Sequence, residues 1–206
     1  MKKLILTIFV LTISVSTLKA QHDIKINALG LFFQDYGLGY EYIINESFSA
    51  GIFANYSTFP YLLSVEDYFE GTAHTRNSLS VSPEVRYYLA PDFGADKRYI
   101  GAYFRYKDVS WTDLSYYNNT NTPALYNLDY SSIVLGMMTG QKWVTNSGIY
   151  FETLLGVGKA LSSSTTFSDP AAEQYMEDNG GLSEYSYVAG WDFRFQIAVG
   201  YRIGGY

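Results

Sequence analysis

The sequence predicts an all-β protein: a closed, eight-stranded, antiparallel up-and-down barrel that crosses a membrane on its strands, with short turns at one end and longer loops at the other. Three observations predict it. Apolar residues recur at every second position along eight segments, the period of a strand whose side chains alternate between two faces. The connections alternate between tight turns and long polar stretches. The chain is also aromatic and poor in charge: 21 Tyr, 13 Phe and 3 Trp make up 18% of it, and only 17% is charged, against about 25% in ordinary soluble domains. Mean hydropathy is −0.06, and beyond residue 20 no apolar run exceeds about six residues. A membrane helix needs about 20, so that class is excluded, and the aromatic content excludes a disordered chain.

Residues 1–20 stand apart from this pattern. Lys2 and Lys3 precede the apolar stretch Leu4–Val15, and Leu18-Lys19-Ala20 has the form of a cleavage site, the layout of a secretory signal peptide. The expected mature domain is 21–206. Loss of Lys2, Lys3 and Lys19 with the leader leaves 11 bases against 20 acids, a net charge of −9, which disfavours nucleic acid as a partner. With no cysteine there is no disulfide, thiolate metal site or cysteine nucleophile.

The eight segments follow in order. Ile24–Leu31 and Tyr36–Ile43 come first, joined by the short Phe32–Asp35; Phe48–Ser57 follows the tight turn Asn45-Glu46-Ser47. Leu79–Leu89 contains Pro83, which argues for an edge or a bulge there. Tyr99–Lys107 sets Ile100, Ala102, Phe104 and Tyr106 against Gly101, Tyr103, Arg105 and Lys107. Tyr130–Val144 has Gln141 on its apolar row, and Thr145-Asn146-Ser147 turns it into Ile149–Leu161. The last, Tyr187–Ile203, has nine successive odd positions apolar. A helix would scatter such a pattern round its surface. Thr58–Asn77, Asp108–Asp129 and Ser162–Ser186 are expected as long loops.

Which face meets lipid follows from composition. The polar row is rich in glycine, with Gly37, Gly39, Gly51, Gly101, Gly156, Gly158, Gly190 and Gly200 all on it, and small residues suit the cramped interior of an eight-stranded barrel. The apolar row ends in an aromatic girdle: Tyr42, Tyr87, Trp143 and Tyr201 near the short turns, Tyr56 and Tyr187 near the loops, as at the two interfaces of a lipid-facing band. The alternative is a soluble, exported, lipocalin-like barrel with its apolar row inside and a lipid in the lumen.

Packing patterns along the whole domain carry a resemblance. They are Ile26-Asn27-Ala28-Leu29-Gly30-Leu31, Gly39-Tyr40-Glu41-Tyr42, Glu84-Val85-Arg86-Tyr87-Tyr88, Gly140-Gln141-Lys142-Trp143 and Leu155-Gly156-Val157-Gly158. The chain resembles the small eight-stranded outer-membrane barrels of Gram-negative bacteria, the OmpA/OmpX-like group, and is similar to an exported barrel family known only as a domain of unknown function. The resemblance implies a location in the outer membrane, outer-membrane lipid and lipopolysaccharide as surroundings, and contact with the barrel assembly machinery during biogenesis. Such barrels end in an aromatic residue. Here Tyr206 is out of phase with Tyr201 and Ile203.

The chemistry of the polar row is that of a buried charge network. Glu41, Glu84, Glu152 and Asp192, with Lys25, Arg86, Arg105, Lys107, Lys142 and Arg194, are expected to point into the lumen, where charges must pair. The expected result is a plugged lumen, with a narrow pore as the alternative. A lipid A-modifying enzyme would need a histidine near the outer rim. The candidates are His74, with Ser78, Ser80, Glu66, Asp67 and Glu70 about it, and His22 at the opposite end; loops of this composition assemble such a set by chance, and no enzyme, cofactor or catalytic residue is expected. Asp169, Glu173, Glu177, Asp178 and Glu184 in the last long loop lack the spacing of a calcium loop and are expected to solvate it. The tyrosines and asparagines of Asp113–Asp129, including the Asn118-Asn119-Thr120 sequon, suit surface contact. The expected protein is a non-enzymatic monomer with a structural or surface-interaction role.

Overall fold

The computed structural model describes residues 21–58, 75–92, 94–117, 122–178 and 190–204. The segment 1–20, Glu66, Asp67, Glu70, His74, the sequon, Glu184, Tyr187 and Tyr206 lie outside the described residues.

With strict alternation of apolar and polar side chains, closure of the sheet on itself buries a whole face of every strand and leaves no edge unpaired. Eight strands do so: β1 (Gln21–Asn27), β2 (Asp35–Ile43), β3 (Phe48–Ser57), β4 (Thr75–Leu89), β5 (Lys97–Tyr117), β6 (Pro123–Val144), β7 (Ile149–Phe167) and β8 (Trp191–Ile203). Each pairs antiparallel with the next, and β8 returns to β1 with Ile24 opposite Tyr201. The polar row faces in and the apolar row faces out. Asp23, Glu41, Arg86, Lys142 and Glu152 are buried, while Leu38, Val85, Met137, Phe193 and Phe195 are exposed.

The glycines leave room for inward rings. Gly136 lies opposite Tyr103, Gly140 opposite Tyr99 and Gly200 opposite Tyr150, and a Cβ on any of the three would come within 2.5 Å of the hydroxyl end of the facing tyrosine, and at Gly140 would collide with the Thr153 carbonyl as well. Gly140→Ala is therefore expected to destabilise the barrel by about 1–3 kcal/mol through overpacking, measured as a lower urea midpoint of the refolded protein.

Several boundaries differ from the sequence expectation. The first strand stops at Asn27, and Ala28–Leu31, expected as its continuation, forms one helical turn, α1. Ala and Leu favour helix, and the turn carries the chain round to Asp35. β5, β6 and β7 run far beyond the expected ends, so much of Asp108–Asp129 and the start of Ser162–Ser186 is strand rather than loop. Two irregularities hide this from a period-two reading. The β5–β6 register shifts between Trp111 and Leu114, where Asp113 adopts φ 64°. The β6–β7 register shifts between Ile133 and Val134, leaving Leu161 as the extra residue. Each bulge swaps the faces beyond it.

Beyond these bulges the strands hold a small second core, in which Tyr116, Tyr126, Leu128 and Ala172 are buried and Phe167 and Tyr175 pack against them. Ala172 and Tyr175 belong to α2 (Pro170–Asp178), a helix inside the expected loop. Pro83 causes neither an edge nor a bulge. β4 is paired on both sides, and its register with β5 is the same before and after Ser82 and Pro83, at which pairing simply lapses.

Candidate functional site

The lumen near the short turns is a continuous ion-pair network. Arg86, on β4, is its hub: Nη1 donates to Glu41 Oε2 at 3.1 Å and to Glu152 Oε2 at 3.0 Å, and Nη2 donates to Glu84 Oε1 at 2.5 Å. Lys25 reaches Glu152 at 2.9 Å and Glu84 at 3.7 Å. Lys142 bridges Asp23 at 2.9 Å and Glu41 at 2.8 Å. Neutral donors fill the remaining lone pairs: Tyr88 and Ser49 both donate to Glu41 Oε1 at 2.6 Å, and Tyr99 donates to Glu152 at 2.9 Å. The guanidinium of Arg86 lies 4.5 Å from the centroid of the Tyr99 ring, a cation–π contact in a desolvated setting.

Asp23 is held on its other side by Arg202, whose Nε and Nη2 donate to the two carboxylate oxygens at 2.8 and 2.9 Å. Arg202 also donates to the carbonyls of Gly94 and Ala95, tying the turn between β4 and β5 to the base of the lumen, where Ala95 is buried among Ile43, Tyr88 and Tyr99.

Higher in the lumen the pairing thins. Arg105 donates from Nη1 to Asp192 at 2.8 Å and from Nε to Ser82 at 3.0 Å, and Tyr103 donates to Asp192 at 2.7 Å. Arg194 reaches Glu84 at 3.3 Å while lying over the Tyr103 ring at 4.7 Å. Lys107 belongs to this upper group. Of the expected interior charges, the structure thus gathers Lys25, Glu41, Glu84, Arg86, Lys142, Glu152 and Arg194 into one chain of ion pairs, places Arg105 and Asp192 together above it, and leaves Lys107 apart. Sequence reasoning left Asp23, Arg202 and the inward tyrosines out of the network, although each sits on the polar row by parity.

The outer wall is the converse. On β5 its outward row carries no charge between Arg98 and Asp108, and on β7 none between Ile149 and Lys159. Tyr87, Trp143 and Tyr201 are exposed near the short turns and Tyr56 near the other end; Tyr42 is half-buried, 5.5 Å from the His22 ring. Lys159 lies over Trp191 at 4.8 Å, a cation and an aromatic together at the upper limit of the apolar wall.

The acidic stretch after β7 is more ordered than expected. Asp169 caps α2, accepting from the Ala171 amide at 3.0 Å and from the Tyr116 hydroxyl at 2.7 Å, with Pro170 at the first helical position, where its missing N–H costs nothing. The Tyr116 bond and then the amide bond hold the Asp169 carboxyl below its ordinary range. A carboxyl depressed in the folded state stabilises it above the ordinary range near pH 4 and ceases to do so as pH falls through the depressed value. Asp169→Ala at neutral pH is accordingly expected to lower the amide protection factors (exchange relative to the unstructured rate at the same pH) at Ala171–Glu173, and acidification of the wild type below pH 4 to do the same. Unchanged protection in both would remove the cap from the account. Among the described residues no three His, Asp or Glu side chains converge on a metal position. Ser78 and Ser80 are buried in the lumen, and His22 bonds Tyr40 at 2.6 Å at the short-turn end.

A family model described as "Protein of unknown function (DUF3575)" matches residues 4–189. The chain belongs to the DUF3575 family. Among solved structures, this DUF3575 barrel is similar to a major outer membrane protein from Thermus thermophilus, with 12% identity, 89% of this chain and 99% of that one covered, and a TM-score of 0.54. Acinetobacter baumannii CarO (12% identity, 88% and 95% covered, TM-score 0.47) and CarO2 (9%, 89% and 98%, 0.48) are also similar. At these identities the Thermus likeness is one of fold alone. No curated protein matches the chain. The resemblance read from the sequence, to small outer-membrane barrels and to a barrel family of unknown function, agrees with these findings.

Proposed function

We propose that this DUF3575 protein is an integral outer-membrane barrel with a non-enzymatic structural or surface-interaction role, its lumen sealed by the Arg86 network. The observation that carries the reading is the inversion of the molecule, with charge inside and an uncharged apolar wall outside. Outward Leu, Phe, Ile and Val over roughly 10 residues per strand match the strand length that crosses a bilayer. The lipocalin-like alternative needs the apolar row inside, and the lumen here is lined with carboxylates and cations. Outer-membrane lipid and lipopolysaccharide are the partners of the wall, the barrel assembly machinery is the partner in biogenesis, and the barrel is a monomer.

Fractionation of the exported full chain tests the location. Recovery in the outer membrane, with an unboiled band that runs faster than the boiled one, is expected. A soluble periplasmic protein without that shift would overturn the reading. The seal has its own test: the refolded barrel is expected to give no steady conductance steps in planar bilayers, and steps would replace the plug with a pore.

A further inference from the structure

Above the network lies a cavity of about 320 Å³ at the end of the lumen away from the short turns, lined among others by Arg76, Arg105, Lys107, Arg194, Asp35 and Asp192. Four cations face two carboxylates. One carboxylate, Asp192, is engaged by Arg105 and Tyr103. Arg194 is drawn down to Glu84. The Lys107 ammonium makes no hydrogen bond or ion pair among the described residues, its attraction being to the already engaged Asp192.

A second, independent feature points into the same space. Gln196 lines the cavity, is 4% exposed, and has no partner for either its amide nitrogen or its amide oxygen. An unsatisfied buried amide is costly, whereas in the lower network Arg86, Glu41 and Glu152 each have three or more partners. Asn27, Asp35 and Asn55, which also line the cavity, each keep a side-chain oxygen free for a donor on the bound solute. A positive cavity with an unengaged ammonium and an unmet donor–acceptor pair has the complement of a small polar solute bearing an anionic group.

We propose that this cavity binds an oxyanion, carboxylate or phosphate, of a small solute, with Lys107 as its principal cation and Gln196 meeting an adjoining polar group. The volume lies at the lower end of small-molecule sites, and the field of Arg76 and Arg105 adds to the attraction. The proposal rests on the barrel fold and its polar lumen, not on where the barrel resides.

The test is calorimetric titration of the refolded full chain in micelles with inorganic phosphate and with acetate, ionic strength being held constant with sodium chloride. Saturable one-site binding is expected for at least one of the anions. Lys107→Met is expected to weaken it about tenfold or more, as for loss of a charge-assisted bond, with Lys107→Gln as the second variant should the first fail to fold. Lys159→Met makes the same charge change on the outer wall and is expected to leave affinity unaltered. Gln196→Leu keeps the charge and is expected to weaken binding by a smaller factor. Retention of the phosphate signal in micelles doped with lipid A identifies a free solute as the ligand; its loss there would overturn the solute in favour of a lipid headgroup. No saturable binding by either anion, or equal weakening by Lys107→Met and Lys159→Met, would overturn the site.

Discussion

Arg86→Met is expected to lower the unfolding free energy of the refolded barrel by about 3–5 kcal/mol, the range for breaking a buried pair by removal of one partner. Arg86 contacts Glu41, Glu84 and Glu152 at once, and its side chain is fully buried. Methionine fills much of the same volume, so the loss is electrostatic rather than a cavity. Three carboxylates then share Lys25, Lys142 and Arg194, none of which can reach all of them. Urea titrations of wild type and variant in the same micelles measure the difference, and a change within about 0.5 kcal/mol, the ordinary scatter of neutral substitutions, would show that the network contributes nothing that water cannot. Arg194→Ala removes only one long ion pair and two ring contacts and is expected to cost less.

The second large effect separates the two faces. Val85 is 56% exposed on β4 and Ser82, three residues earlier, is 0% exposed. Val85→Arg is expected to cost about 2–4 kcal/mol in lipid vesicles, the penalty for a charge on a lipid-facing barrel position near the midplane. Ser82→Arg places a guanidinium beside Arg105, which donates to the Ser82 hydroxyl, in a lumen with no spare carboxylate at that level among the described residues; it is expected to abolish folding. Heat-modifiable mobility after refolding reads both. A folded Ser82→Arg protein of wild-type stability would sink the crowded polar interior, and a silent Val85→Arg would sink the lipid-facing wall.

The strands of the apolar wall were legible because one physical rule, alternation, governs every residue between two water layers. Beyond the wall that rule lapses. The upper parts of β5 and β6 turn Tyr116, Tyr126 and Leu128 inward and expose Asn127 and Asp129, the reverse of the wall, and bulges at Asp113 and Leu161 break the phase, so the stretch has the composition of a loop. Interior membership was legible by parity, including that of Asp23 and Arg202, which were not gathered. The pairing was not. Arg202 and Asp23 are 179 positions apart, and Lys142 and Asp23 are 119 apart; only closure of the ring decides that they meet. Gln196 and Lys107 read from sequence as ordinary members of the polar row, and only the volume around them shows that they lack partners.

The bidentate bond between Asp23 and Arg202 has a consequence in time. Asp23 is on the first strand and Arg202 on the last, so a chain that is still being synthesised or threaded holds the acid without its partner. An open ring of seven strands leaves Asp23 to Lys142 alone and the turn at Gly94-Ala95 without its bonds to Arg202. Each partly built barrel is thus penalised by charges already committed to the interior, and the debt is cleared in one step when β8 docks on β1. Closure is then the cooperative event of folding, and the seam between the first and last strands, which in an open sheet would be its frayed edges, becomes a junction that neither strand can make without the other.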